Sequence, residues 1–212
     1  MVHNEHGPSS PQHLIEQALN AGRPGGELMV IADEHSTVNL RWAANTLTTN
    51  GVASTRSLTV IAVDRRPDGS CGVGTVSRSG VQPDQVADLV GEAEKVSAEA
   101  AAADDAGDLV TEPTVRYAHS RPGSPRWDEA AASTEVAVLR GFAASLGETL
   151  REAEGAGRKL YGFAEHEVTS TFLGTSAGLR LRHDQPTGRL ELNAKSADMT
   201  RSAWAGAATR DF

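Results

Sequence analysis

The sequence has little cysteine and no long apolar segment. Cys71 is the only cysteine among 212 residues, which excludes an intrachain disulfide and a multi-cysteine zinc or iron–sulfur site. No window approaches 18 consecutive apolar residues, and the opening MVHNEHGPSSPQ lacks a basic start followed by an apolar stretch. We therefore predict a cytoplasmic protein with no membrane span.

Basic residues are also in short supply. Twenty Lys and Arg residues stand against 28 Asp and Glu residues, a net charge of −8, and no basic run interrupts the pattern. Because an acidic surface repels phosphate backbones, direct nucleic-acid binding is disfavoured. A hydrophobic content of 39% and a charged content of 23% are ordinary for a globular protein, so collagen-like, coiled-coil and wholly disordered structures are excluded.

Apolar residues at helical spacing predict three helices. The first begins near Ser9 or Ser10, with Pro11 in its first turn, and the second opens at Pro83. The third spans residues 134–154 and is closed by two glycines.

Alternating apolar residues predict strands after the first and third helices. Four strands form a meander, ELMVIADE, STVNLRWAANTLTT, TRSLTVIAVD and CGVGTVSRS, with breaks at Asn50-Gly51 and Pro67-Asp68-Gly69. Three more follow in KLYGFAEHEVTST, TFLGTSAGLRLRH and GRLELNAKSADMTRSAWAG. This order predicts an α+β fold, in which antiparallel β-sheets pack with long helices in two successive helix/strand units.

The two units suggest two domains. Residues 104–132 hold three prolines and few apolar residues, which is typical of a linker or mobile loop. We predict an N-terminal α+β domain at 1–110, a linker at 111–132 and a second helix-plus-strands domain at 133–212. Because the sequence stops soon after strand-like residues, we expect the second domain to be truncated.

One segment matches a catalytic serine motif. Gly174-Thr175-Ser176-Ala177-Gly178 fits G-x-S-x-G, the nucleophile elbow of α/β-hydrolases. The elbow requires a helix after the serine, whereas residues 179–182 alternate as a strand, and the only later histidine is His183. A hairpin turn is the preferred interpretation, and a serine hydrolase using Ser176 remains a weaker alternative.

Two His-Glu pairs resemble the start of a zinc-peptidase motif. His166-Glu167 and Glu34-His35 both lack the second histidine one helical turn away, and both lie in strand patterns. We interpret them as solvated or hydrogen-bonded strand side chains, with a metal site shared between molecules left open.

Other small motifs have structural interpretations. Gly72-Val73-Gly74 is only a fragment of a dinucleotide fingerprint and lies inside a strand pattern. Cys71 is predicted to be a buried or half-buried thiol, and Trp42 and Trp204 to be core or interface anchors.

The last three strands concentrate basic residues in an otherwise acidic chain. Such a basic sheet face suits an acidic partner surface or a peptide carboxylate, although scattered solvated charges give the same pattern. Strand edges offer a second route, because an extended peptide can add to them without any special residue type. The basic cluster comprises Arg180, Arg182, His183, Arg189, Lys195 and Arg201. The predicted substrate- or partner-binding residues are Arg180, Arg182, His183, Lys195, Arg201 and Trp204.

Four separated segments resemble the N-terminal half of the TldD/PmbA family, and its PmbA/TldE branch most closely. They occur in the family's order and, apart from residues 104–132, cover most of residues 27–212. The segments are ADEHSTVNLRWAANTLTTNG, SRSGVQPDQVADLV, LYGFAEHEVTSTFLGTSAGLRLRHDQPTG and KSADMTRSAWAGAATRDF.

The resemblance implies a subunit of a cytoplasmic bacterial TldD–TldE heterodimer that degrades or processes unfolded peptides. It places the zinc-type metal, on an H-E-x-x-x-H helix, in the TldD-like partner, so it implies no catalytic residue, metal ligand or cofactor in this chain. The family is also named as a modulator of DNA gyrase, which gives an acidic chain no reason to contact DNA. We expect the C-terminal half to be missing and the chain to be inactive alone. The alternative is a freestanding peptide- or partner-binding module.

Overall fold

The described part of the chain contains three α-helices and six strands, besides short 3₁₀ turns and loops. The computed structural model describes residues 10–104, 107–111, 126–210 and 212. In chain order the elements are α1 (Pro11–Ala21), β1 (Glu27–Ala43), β2 (Thr46–Arg65), β3 (Cys71–Ser79), α2 (Val86–Glu99), α3 (Arg140–Gly155), β4 (Arg158–Thr175), β5 (Arg180–Ser196) and β6 (Ser202–Thr209). None of the described helices is long and apolar enough to cross a membrane.

All six strands join one antiparallel sheet in the order β3-β2-β1-β4-β5-β6. The predicted α+β class is therefore confirmed, and the two predicted groups of strands contribute to the same sheet.

By packing, the chain divides into two units, whose boundaries fall within β1, β2, β4 and β5. The first comprises Met1–Glu34, Thr55–Ala131 and Ser170–His183, and the second His35–Ser54, Ala132–Thr169 and Asp184–Phe212. The domain division predicted at residues 110–133 stays a prediction, because packing alone does not measure independent folding.

The core of the first unit lies between its strands and helices α1 and α2. Ser10 caps α1 by accepting a hydrogen bond from the His13 backbone N–H, and Pro11 follows it, as the sequence predicts. Alternate residues of the strands point to the helices, so each strand shows a buried and a half-exposed face. The central apolar side chains are Leu14, Ile15, Leu28, Val30, Leu58, Val60, Val86, Leu89, Val90 and Phe172.

The core of the second unit lies between its strands and helix α3. Val38, Leu40 and Trp42 alternate into it from β1, and Leu146 and Leu150 meet them from the helix. The Trp42 ring contacts Phe142 with a centroid separation of 6.0 Å. Trp42 is therefore a core anchor, as the sequence predicts.

One predicted strand break, at Asn50-Gly51, is wrong, whereas Pro67-Asp68-Gly69 separates β2 from β3 as predicted. Asn50 and Gly51 lie within β2, so the first two predicted strands instead form β1 and the start of β2. The chain reverses at Ala44 and Asn45, which have φ values of 49° and 67°. Alanine rarely adopts this conformation, so no residue pattern marked the turn. Its stabilisation comes from Asn45, whose amide accepts a hydrogen bond from Leu160 N–H at 2.7 Å and donates to the Arg158 carbonyl at 2.7 Å.

The boundaries of the last three strands also differ from the prediction. β4 continues to Thr175, and β5 runs without a break from Arg180 to Ser196, whereas the predicted strands end at His183 and resume at Gly188. β6 begins only at Ser202.

The third helix begins later than predicted. Helix α3 starts at Arg140 after a 3₁₀ turn over Val136–Leu139, and the Val136 side chain is 53% exposed. The reason is that Thr134 is tied elsewhere: its backbone N–H donates to Ser36 Oγ at 3.1 Å, and its hydroxyl lies 2.7 Å from His166 Nδ1. At the other end of α3, Gly157 has a φ of 66° and follows the last helical turn, as predicted.

Residues 112–125 of the predicted linker lie outside the described residues, so the linker stays a prediction. At its end, residues 126–131 are held within the first unit. Gln12 Nε2 donates to the carbonyls of Trp127 at 2.6 Å and Glu129 at 2.9 Å, and the Trp127 ring meets Phe172 edge-on at 5.7 Å.

Candidate functional site

The predicted basic residues of the first unit are Arg180, Arg182 and His183, on β5. Arg180 forms a bidentate ion pair with Glu16 at 2.6 and 2.8 Å, and Arg182 lies 5.0 Å above the Phe172 ring. The Arg182 guanidinium also donates to the carbonyls of Arg126, Glu129 and Ala130 at 2.9–3.0 Å. Both arginines therefore join α1 and residues 126–130 to the sheet, while His183 lies exposed on β5.

The structure brings two predicted residues of the second unit together at an open depression of about 650 Å³. Lys195 ends β5 and Arg201 precedes β6, and Arg158 at the start of β4 adds a third cation to the lining. Within the described residues, neither the Arg158 nor the Arg201 guanidinium has a hydrogen-bond or ion-pair partner. Arg158 was not among the residues predicted from the sequence, because its distance from Lys195 depends on strand pairing.

Asp198 is the single carboxylate that lines this depression. Its oxygen accepts a hydrogen bond from the Ser196 hydroxyl at 2.5 Å and from the Thr200 backbone N–H at 3.1 Å. The Ser196 hydroxyl, followed by Thr200, holds the pKa of Asp198 below its usual value. The carboxylate is thus ionised and engaged within its own turn, so the three cations leave the depression with an excess of positive charge.

Trp204, on β6, lies beside this depression and is 63% exposed. A Cβ atom placed on Gly206 would lie 2.5 Å from the indole Cζ2 and 2.6 Å from Cη2, so the six-membered ring of the indole occupies the space beside that glycine. Trp204 is paired with Asn193, and Ser202 with Lys195, which puts the indole and Lys195 on the same sheet face. Its exposure makes the predicted core role wrong, while the predicted interface role stays a prediction.

β6 forms one end of the sheet, and no described strand pairs with its outer side. The Ser196 backbone N–H donates to the Arg201 carbonyl at 3.0 Å, which fixes the alternation of the β5–β6 ladder. The backbone N–H and C=O groups that point outwards therefore belong to Ser202, Trp204, Gly206 and Ala208. The strand has neither proline nor charged residues, which are two common devices that prevent edge pairing.

The two His-Glu pairs are strand residues, as the sequence predicts. His166 is buried, with Nδ1 2.7 Å from the Thr134 hydroxyl and Nε2 3.0 Å from the Arg210 carbonyl. Glu167 is the next residue of β4 and points to the other face, where it lies 3.5 Å from His35. In the part of the chain that the structure describes, no three His, Cys, Asp or Glu side chains come together as metal ligands would.

Ser176 lies in the hairpin turn between β4 and β5. Its hydroxyl accepts a hydrogen bond from Leu28 N–H at 3.0 Å, and its backbone N–H donates to the Leu28 carbonyl at 2.9 Å. A strand follows the turn instead of a helix, so the hairpin interpretation is confirmed and the elbow geometry is not present here.

The remaining motifs are structural. Cys71 is buried at the start of β3, with Arg65 Nη1 donating to its sulfur at 3.4 Å. Gly72 and Gly74 lie in β3 against the backbone of α2, where a Cβ atom would lie only 2.0 and 2.2 Å from carbonyl oxygens.

These features define a class of fold: a six-stranded antiparallel sheet with three helices and an alanine-rich edge strand. Solved structures of the same fold include TldE from Thermococcus kodakarensis, with a TM-score of 0.65 and 14% identity over 94% of this chain and 43% of that one. A proposed modulator of a DNA gyrase from Thermotoga maritima has a TM-score of 0.61 and 16% identity over 94% of this chain and 42% of that one. A proposed modulator of DNA gyrase from Bacteroides thetaiotaomicron has a TM-score of 0.55 and 11% identity over 94% of this chain and 44% of that one.

No protein-family model and no curated protein matches the sequence. The fold is nevertheless the fold of TldE and of the gyrase-modulator structures, in agreement with the predicted resemblance to the TldD/PmbA family. The chain spans less than half the length of the solved structures that it matches.

Proposed function

We propose that this chain is a non-catalytic α+β module of a PmbA/TldE-like subunit. In this proposal the subunit works with a TldD-like metallopeptidase subunit in the cytoplasm, and the pair degrades or processes unfolded peptides. The observation that carries the proposal is the similarity to TldE over 94% of the chain. The module's own role would be to help enclose or guide the peptide.

The described residues do not fit a zinc site of their own. Both ring nitrogens of His166 have partners, and the described His, Cys, Asp and Glu side chains do not converge in threes. Zinc sites of peptidases use three protein ligands around one metal position. In this proposal the zinc-type metal belongs to the TldD-like partner, as the family resemblance implies, and no chemical step is assigned to this chain.

The test is reconstitution with the TldD-like protein encoded in the same genome. The tagged chain and the partner are coexpressed, and the partner is identified by mass spectrometry from its H-E-x-x-x-H sequence. We expect the chain alone to cleave no unfolded peptide, and the pair to show cleavage that a chelator abolishes. A partner with its first motif histidine changed to alanine is the matched control.

Two results would contradict the proposal. Chelator-sensitive cleavage by the chain alone would assign the metal site to this polypeptide. Failure of the TldD-like protein to associate, with peptide binding retained, would instead favour a freestanding peptide- or partner-binding module.

A further inference from the structure

The geometry points to the outer edge of β6 as a docking site for an extended, acidic peptide segment, which adds to the sheet as a seventh strand. This inference deepens the proposed function and rests on it for a peptide as the occupant. Three features of the second unit carry it: the edge, the cations and the exposed indole.

The edge supplies the main-chain hydrogen bonds. Ser202, Trp204, Gly206 and Ala208 present outward N–H and C=O groups along eight exposed or nearly exposed residues. An added strand pairs through such groups whatever its sequence, which gives affinity without selecting a side chain. The opposite end of the sheet differs, because Ala102 bridges Gly72 of β3 and Ala103 N–H donates to the Cys71 carbonyl at 2.7 Å.

The cations supply the preference for acidic side chains. Arg158, Lys195 and Arg201 line the depression at the start of β6, and the one carboxylate there, Asp198, is engaged with Ser196 and Thr200. Lys195 extends over the Tyr161 ring with its Nζ 5.7 Å from the centroid. In a chain of net charge −8, this local positive excess is complementary to a carboxylate and opposes a second copy of the same acidic protein.

The indole supplies a contact for side chains on the same face. Trp204 projects from the edge strand itself, with its indole beside Gly206, so an added strand places alternate side chains next to it. A large exposed aromatic side chain next to unpaired backbone groups is typical of a binding surface.

Fluorescence anisotropy tests the inference with the 212-residue chain and two fluorescein-labelled peptides, TVEVEVT and TVKVKVT. We expect the glutamate peptide to bind and the lysine peptide to bind at least about tenfold more weakly, because only the former pairs with the cations. Arg201→Glu should weaken binding of the glutamate peptide by about tenfold, whereas Lys95→Glu, an equal charge change on α2, should leave it within about twofold.

The contribution of main-chain hydrogen bonds from β6 is tested with a separate pair of variants. Ala208→Pro removes one outward N–H, a change that an edge strand tolerates, and should weaken binding at least about threefold, whereas Ala208→Thr keeps the N–H and should not. Circular dichroism confirms that each variant is folded.

Three outcomes would overturn the inference: equal binding of both peptides, equal effects of Arg201→Glu and Lys95→Glu, or no effect of Ala208→Pro. A concentration-dependent dimer in sedimentation that Ala208→Pro dissolves would also overturn it, by assigning the edge to a second copy. Because these measurements need no TldD-like protein, they can fail or succeed independently of the reconstitution.

Discussion

At the residue scale, Arg180 and Arg182 show how the role of a charged side chain depends on distant neighbours. The sequence grouped them with Lys195 and Arg201, since all four are basic and close along the chain. Arg180 instead meets Glu16, 164 residues away, and Arg182 meets carbonyls 52–56 residues away. Arg201, in contrast, has no such partner among the described residues. Composition cannot distinguish these cases, because the partners converge only after folding.

The turn at Asp198 leads to a prediction for a single hydroxyl. Ser196→Ala removes the largest cause of the lowered pKa, so we expect the pKa of Asp198 to rise towards its ordinary value of 3.8. The pKa should stay somewhat below 3.8, because the hydrogen bond from Thr200 to Asp198 remains. Titration of the carboxyl carbons by NMR measures it.

The matched control is Asp68, whose pKa is lowered by the backbone N–H and hydroxyl of Ser70 and should not move. Because the folded-state pKa of Asp198 lies below the unfolded value, its stabilising contribution is present above the unfolded pKa and is lost as pH falls through the folded pKa. An unchanged Asp198 titration in Ser196→Ala would show that the hydroxyl does not hold the carboxylate.

At the scale of elements, the contact of β3 with α2 depends on glycine. Gly74 faces the helix so closely that a Cβ atom would lie 2.2 Å from the Ala93 carbonyl oxygen and 2.4 Å from the Ser97 nitrogen. The sequence indicated that Gly72 and Gly74 were structural, but periodicity could not indicate which element approaches them. The helix comes close because two strand positions lack side chains.

A pair of glycine substitutions tests this contact. Gly74→Ala should lower the free energy of unfolding by about 1–3 kcal/mol or more, because helix backbone atoms cannot move without repacking. Gly91→Ala, on the same helix with nothing within 4 Å of the new methyl group, should raise it by about 0.5–1 kcal/mol. Urea denaturation measures both, and equal effects of the two substitutions would contradict the close approach.

The strand hairpins show the limits of turn signals. Asn50-Gly51 is a strong hairpin signal, yet it lies inside β2, and the reversal occurs at Ala44-Asn45. The side chain of Asn45 makes two hydrogen bonds to β4, more than 110 residues away. A tertiary contact therefore fixes this turn despite an unfavourable local sequence. The turn at residues 176–179 was predictable, because small residues separate two clear strand patterns.

At the scale of the whole molecule, the balance of charge governs which partners are excluded. A net charge of −8 repels nucleic acid at long range, although the depression beside β6 is locally positive. Local complementarity to one carboxylate and global repulsion of a polyanion are compatible, because screening limits each interaction to about 10 Å at ordinary ionic strength.

We therefore predict that the chain does not bind duplex DNA. At 150 mM salt, a gel-shift titration with a 30-base-pair duplex should show no complex at protein concentrations of up to about 10⁻⁵ M, because phosphate contacts supply the affinity of non-specific binding. A histone-like basic protein serves as the positive control. A shift that disappears in Arg201→Glu would contradict the prediction and assign the depression to phosphate.

The sequence alone determined the helices, the existence of most strands and the α+β class, because these depend on the local spacing of apolar residues and on the Ser10-Pro11 and Gly157 boundaries. The tertiary structure alone decided that all strands share one sheet, that β6 ends it, and that Arg158 joins Lys195 and Arg201. Strand order and pairing bring together residues separated by tens of positions, and the alternation of apolar residues is the same for a central strand and an edge strand. The docking edge therefore became visible only once the strands were paired.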